Sequence, residues 1–315
     1  MVLSRRSANL CRSISNRWLA SIGSRAGGQR IEPRESPRIK LVALDLDGTI
    51  VRLDGSVSGR VIKALEYCVA SGASIVFVTG RAPDMLRDLP LHVLSDPIII
   101  CSGGATLFNA QSGQVEHTEL VGSEAVARVL ELGRSAYPVG RFCLETVTGS
   151  IWEPGFRSGA TTVRKGTETA DVRKLGPMFS SVIKVLFRND GDSPQDMMTT
   201  LSPQLSHLVA ITYGSTRYSI LEFAPHGVNK GSALEKYALK RQIDQGGVIA
   251  FGDQPNDLEM LTWVGRGFAM ANGHPNLLQT IGEVAPSIDS DGVAVVLERL
   301  MSGSTEADCT VASSR

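Results

Sequence analysis

Apolar residues in the first third of the folded chain gather into three short, uninterrupted runs: 41–44, 73–79 and 97–101. Between the first two, Val61, Ile62, Leu65 and Val69 recur at the spacing of one helix face. Ser56 or Ser58 is placed to cap, so the pattern predicts a helix over 58–72. Pro83 opens a predicted short helix over 83–89. Strands that are apolar throughout, alternating with helices, are what a parallel sheet covered on both faces requires. The same alternation returns after Ala224, with a helix over 229–240, a strand over 247–251, a helix opened by Pro255, a short strand over 267–271, a helix from Pro275 and a closing helix over 291–300.

Residues 108–223 read differently. Their predicted strands (140–147, 182–188, 208–213, 218–223) are amphipathic, and two helical stretches (123–136 and 193–205) lie among them, whereas 157–169 has no period. That is the pattern of an inserted α+β domain with a mainly antiparallel sheet. The expected organisation is a Rossmann-like α/β core from 37–107 and 224–301 around an insert at 108–223. A separate extension over 1–36 and a loose tail over 302–315 flank them.

Composition narrows the function. Residues 1–31 hold six arginines and no Asp or Glu, which leaves 26 basic and 32 acidic residues in the remainder, a charge of −6. An acidic body lacks the basic footprint of a nucleic-acid binder, and no apolar run approaches the roughly 20 residues of a membrane span. The Arg- and Ser-rich start has the composition of an organelle transit peptide. A disordered tail and a start codon placed upstream fit it equally, so the expected location is the cytoplasm, or an organelle matrix if residues 1–31 are a targeting signal. Five cysteines, odd in number and never paired in spacing, suggest a reducing compartment and no zinc site.

The polar residues that stand out sit at strand ends or helix starts. Asp45 and Asp47 follow the first strand, one residue apart, and strand alternation would send both carboxylates into one small site, where like charges repel. Thr79-Gly80 ends the second strand and Lys230 opens a helix, where a cation is misplaced unless an anion binds there. Asp253 and Asp257 straddle Pro255-Asn256. In open parallel sheets ligands bind beyond the carboxyl ends of the strands. Each feature alone has a plainer reading as a turn, a solvated lysine or a helix cap. Together, three carboxylates (Asp45, Asp47, Asp253) call for a hard divalent cation such as Mg2+, while Thr79 and Lys230 suit phosphoryl oxygens. No cysteine or serine triad offers a nucleophile, which leaves a carboxylate.

In order, Asp45-Leu46-Asp47-Gly48-Thr49, Thr79-Gly80-Arg81, Lys230-Gly231 and Gly252-Asp253-Gln254-Pro255-Asn256-Asp257 resemble the motifs of haloacid dehalogenase (HAD) superfamily phosphatases, Cof-type, over about 39–300. The resemblance implies a HAD-like core with a C2-type cap between the second and third motifs, and Mg2+-dependent hydrolysis of a small phosphorylated metabolite, a sugar phosphate or phosphorylated cofactor. It implies that Asp45 attacks phosphorus, Asp47 acts as general acid and base, and Asp45, Asp253 and the Asp47 carbonyl hold the metal. Thr79, Gly80, Lys230 and Asn256 would bind phosphate, with Asp257 behind the metal ligands and Glu145 and Arg157 as cap contacts to substrate. Two departures stand out: Gly103-Gly104-Ala105 where relatives often read Asn-Gly-Ala, and Met270-Ala271-Asn272-Gly273 where they often read Met-Gly-Asn-Ala. A phosphotransferase or phosphomutase on the same scaffold, and a non-catalytic phospho-ligand binder, remain alternatives. Asp47 argues against a dehalogenase, and oligomeric state is left open.

Overall fold

In the computed structural model, which describes residues 39–86, 89–93, 95–156, 166–214 and 218–302, the chain enters through β1 (Leu41–Leu44), all four of its side chains buried. Ser58 caps α1 (Gly59–Ala70) by accepting a hydrogen bond from the Arg60 amide, and α1 turns Val61, Ala64, Leu65 and Cys68 inward. The buried strands β2 (Ser74–Val78) and β3 (Ile98–Cys101) follow, then a hairpin of β4 (Thr106–Asn109) and β5 (Gln114–Thr118). The next stretch runs α2 (Ser123–Ala136), β6 (Arg141–Thr146), β7 (Gly149–Trp152), β8 (Gly166–Glu168), β9 (Val182–Arg188), α3 (Pro194–Leu205), β10 (Val209–Thr212) and β11 (Ile220–Pro225). The chain closes with α4 (Lys230–Lys240), β12 (Val248–Gly252), α5 (Leu258–Trp263), β13 (Arg266–Met270), α6 (Pro275–Thr280), β14 (Glu283–Ala285) and α7 (Gly292–Met301).

These strands make two sheets. The first has the order β14-β13-β12-β1-β2-β3-β4-β5 and is parallel from β14 to β3. Burial on both faces is why its central strands lack polar residues. One apolar layer joins Leu44, Phe77, Ile99 and Phe251 to Leu65 of α1 and Val293 and Leu297 of α7. The other joins Ala43, Val76, Ile100 and Ala250 to Leu234, Tyr237, Met260 and Leu277 of α4, α5 and α6. β1 aligns Leu44 with both Phe251 and Phe77, so the segments after β1, β2 and β12 leave the sheet side by side.

The second sheet, β10-β11-β9-β6-β7-β8, is antiparallel except between β7 and β8. Phe142, Leu144, Val185, Phe187, Leu221 and Phe223 project from one face onto Val126, Val129 and Leu201 of α2 and α3, with the Phe142 and Phe187 rings 4.7 Å apart. The alternate residues Cys143, Glu145, Lys184, Leu186 and Glu222 therefore share the other face.

The switch between sheets differs from the sequence expectation at residue 108. β4 and β5 pair antiparallel onto β3 and extend the first sheet through Thr118. They are largely half-buried or exposed, and such edge strands carry the same amphipathic pattern as a separate antiparallel sheet. The short helix expected over 83–89 is a single 3-10 turn, Pro83–Met85. The extension over 1–36, nearly all of the tail over 302–315, and Arg157 lie outside the described residues. No helix among the described residues is long and apolar enough to cross a membrane.

Phe251 is fully buried and stacks on Phe268 with ring centroids 5.0 Å apart. Phe251→Ala is expected to cost about 3–5 kcal/mol, seen as a lowered urea midpoint with unchanged slope. A loss below about 1 kcal/mol would contradict the packing described.

Candidate active site

Asp45 is the first residue beyond β1, and its backbone N–H still donates to the Phe251 carbonyl at 3.0 Å. This last ladder bond holds it at the sheet edge, where it is 5% exposed. The chain then turns sharply. The amides of Thr49, Ile50 and Val51 all donate to the Leu46 carbonyl, and Gly48 adopts φ +87°. A Cβ on Gly48 would stand 2.3 Å from Asp253 Oδ2; only glycine admits both that backbone and that carboxylate.

Lys230, in the first turn of α4, reaches back to the same edge and is 2% exposed. Its ammonium donates to Asp45 Oδ1 and to Asp257 Oδ1, both at 2.6 Å. Asp257 Oδ2 accepts the backbone N–H groups of Asp253 and Gln254 at 3.0 and 2.9 Å, fixing the turn that carries Asp253. Asp253 in turn accepts from Thr49 at 3.2 Å and from Gln254 Nε2 at 2.7 Å. Asp45, Asp253 and Asp257 each bring one oxygen within 4.8 Å of the others.

Burial raises the Asp45 carboxyl well above its ordinary range; Lys230 opposes this, and Asp257 and Asp253 add to it. Burial likewise pushes Asp253 up to about 7, with Asp257 reinforcing it and Gln254 and Lys230 opposing. For Lys230 burial disfavours the ammonium, but Asp257 and Asp45 more than reverse that, holding it above the ordinary lysine value. Ionised together, the three carboxylates would exceed the one ammonium by two negative charges in a buried site. Burial and their mutual repulsion therefore favour protons there in the absence of a cation. All-oxygen donors with that excess fit a hard divalent cation such as Mg2+.

Asp47 stands apart from this group. Its side chain is 61% exposed and gripped by both arms of the Arg81 guanidinium, at 2.8 and 2.6 Å. Strand alternation fails here because β1 ends at Leu44, so the crowding around Asp45 comes from Asp257 and Asp253 rather than Asp47. Thr79 is buried at the end of β2, and its hydroxyl accepts from the Arg81 amide at 3.1 Å, leaving the hydroxyl proton to donate elsewhere. A Cβ on Gly80 would lie 3.9 Å from Asn256 Nδ2, which places the Asn256 amide beside that loop. Asn256 Oδ1 is buried without a hydrogen-bond partner.

The second sheet meets these loops directly. Lys184 Nζ donates to the Gly80 carbonyl at 3.0 Å and to Glu222 at 2.9 Å, and Ser102 donates to Glu145. Tyr213 packs edge-on against His274, which also hydrogen-bonds Gln195. Asn272 donates to the Gly48 carbonyl and accepts from the Ile288 amide, both at 2.8 Å, so the variant loop at 270–273 braces the Gly48 turn. A side chain at Gly103 would meet nothing within 4 Å; the position is open space.

Arg81, Thr49 and Gln254 lie inside the motifs but were given no part from sequence. Lys184 and Glu222 were missed altogether. Glu222 is the one charge in its strand and Lys184 a charge in the interior of a strand otherwise apolar up to Arg188 at its end, and that break in pattern was the available signal.

The family model described as a haloacid dehalogenase-like hydrolase matches residues 42–297. The chain is 26% identical over 299 residues to the 5-amino-6-(5-phospho-D-ribitylamino)uracil phosphatase of Bacillus subtilis (strain 168), covering 84% of this chain and 99% of that protein. It is 29% identical over 243 residues to the HMP-PP phosphatase of Shigella flexneri, covering 76% and 86%. The solved structure of the HAD superfamily phosphatase BT1666 from Bacteroides thetaiotaomicron has the same fold, with a TM-score of 0.70 at 22% identity over 87% of this chain and 99% of that one.

With metal chelated, Asp45 and Asp253 keep protons in the folded chain at pH values where the unfolded chain has lost them. Between about pH 4 and pH 7 the folded state binds more protons, so these groups make stability fall as pH rises. Urea unfolding in chelator is expected to show lower stability at about pH 7 than at about pH 5, with a shallower fall in Asp253→Asn. A wild-type profile that climbs across this window would contradict the electrostatics described.

Proposed function

The chain belongs to the haloacid dehalogenase-like hydrolases, in their Cof-type branch of phosphoric monoester hydrolases, and from that premise we propose that it removes phosphate from a small organic phosphate through an aspartyl-phosphate on Asp45. The observation that carries this reading is the buried Lys230 bridge between Asp45 and Asp257, beside Asp253. It immobilises Asp45 Oδ1, while Oδ2 accepts no hydrogen bond among the described residues.

Asp45 Oδ2 attacks phosphorus and forms the O–P bond as the bond to the leaving alcohol breaks. Asp47 gives that alcohol its proton. Asp47 then takes a proton from the water that attacks phosphorus, breaking the Oδ2–P bond and releasing inorganic phosphate. Arg81 fixes the orientation of Asp47 at the exposed mouth of the site. Lys230, the Thr79 hydroxyl, the Gly80 backbone and the Asn256 amide hold the phosphoryl oxygens, supplying the electrostatic stabilisation on which phosphoryl transfer depends. Asp257 positions Lys230 and the Asp253 turn. Asp45, Asp253 and the Asp47 carbonyl would hold Mg2+, which when bound neutralises the carboxylates and polarises the phosphoryl group.

The second sheet acts as a C2-type cap. Its contacts through Lys184, Glu145 and Tyr213 close it over the strand ends and exclude water. Substrates of the class that includes sugar phosphates and phosphorylated cofactors fit the reading, in line with the relatives' names.

Purified protein with Mg2+ is expected to hydrolyse p-nitrophenyl phosphate and release free phosphate, with activity lost in chelator. Asp45→Asn is expected to lower kcat by at least about a thousandfold. Wild-type rates in that variant would sink the mechanism, and a rate indifferent to chelation would remove the metal.

A further inference from the structure

The open face of the second sheet carries a charged group that the phosphoryl chemistry does not use. Glu145 on β6 and Lys184 on β9 are cross-strand partners, and Glu222 on β11 shares their face. Lys184 is 1% exposed. Its ammonium is committed to Glu222 Oε2 and the Gly80 carbonyl, with Glu145 at 4.0 Å. It is therefore spent on the protein, and no free cation from this group faces a ligand.

Glu222 is different. Its side chain is 16% exposed, and Oε1 accepts no hydrogen bond among the described residues. Gly214 shows where that oxygen lies, since a Cβ built there would stand 3.4 Å from Glu222 Oε1 and 3.2 Å from Asn256 Nδ2. The two side chains thus approach one small volume from opposite sheets. Asn256, 8% exposed, brings to it the Nδ2 of its amide.

Resting on the phosphatase reading above, we propose that Glu222 is a specificity-determining residue whose Oε1 accepts hydrogen bonds from the leaving group. The favoured substrates are phosphate monoesters of alcohols that carry further hydroxyl or amino groups. A leaving group bearing a carboxylate or a second phosphate is rejected, because it meets the Glu222 carboxylate with Lys184 already engaged.

The matched pair sn-glycerol 3-phosphate and 3-phosphoglycerate tests this, since they differ by a hydroxymethyl against a carboxylate. Wild-type enzyme is expected to favour sn-glycerol 3-phosphate in kcat/KM by at least about tenfold. Glu222→Gln, which keeps an acceptor but removes the charge, is expected to narrow that ratio. Glu222→Ala is expected to lower the rate on sn-glycerol 3-phosphate relative to p-nitrophenyl phosphate at least about tenfold, with Gln restoring part of it. Each ratio comes from one preparation, so partial unfolding cancels. Equal use of the pair by wild type, or ratios that neither variant moves, would overturn the subsite while p-nitrophenyl phosphate turnover left the phosphatase reading standing. Absence of that turnover would overturn both.

Discussion

Three carboxylates from two distant stretches of chain are packed around one ammonium at the edge of a buried sheet, and much of the surrounding backbone is arranged to keep them there. The parallel register of β1 with β12 sets Asp45 beside Gly252 and Asp253. The Gly48 turn clears room for the Asp253 carboxylate. Asp257 spends its second oxygen on two backbone amides instead of on a ligand. Without compensation such a cluster opposes folding, so its presence in the core of the sheet edge identifies what the strands are for. The protein tolerates an electrostatic imbalance that Lys230 relieves only in part.

The first sheet could be followed in the sequence because its strands are covered on both sides and so contain almost nothing polar. The four motifs were legible because strand ends and helix starts are where polar residues interrupt that pattern. Orientation was harder to read. Asp47 follows Asp45 at strand spacing, yet the strand has already ended, and a left-handed glycine and three amides on one carbonyl turn the carboxylate to Arg81. No local rule could supply that ion pair, which spans 34 residues. Residues from 108 on read as part of the insert, with no strand expected over 106–118, because the half-exposed edge strands β4 and β5 lack the continuous apolar run of the buried ones. Lys184 and Glu222 broke the apolar pattern of their strands visibly, but the Gly80 carbonyl that Lys184 meets lies in another part of the chain and only the fold brings them close.

The two sheets touch through polar contacts and through one small apolar cluster, Ala105, Ile183 and Val228. Val185 and Phe187 belong to a cluster closed by α2 and α3, while Lys184 and Glu145, on the reverse of the same strands, reach the Gly80 and Ser102 loops. Polar contacts of this kind can be exchanged for water at little net loss, so parting the sheets would expose the small Ile183 cluster but neither of the larger apolar cores.

That division of labour across β6, β9 and β11 bears on how such a protein diversifies. Of Glu145, Lys184 and Glu222 only the last is part-exposed, whereas Phe142, Val185 and Phe223 serve folding, and strict alternation keeps the two sets on opposite sides of one sheet. A substitution at Glu222 therefore leaves intact the apolar cluster of Cys143, Trp152 and Leu186 on its own face, the core on the opposite face, and the carboxylate edge below.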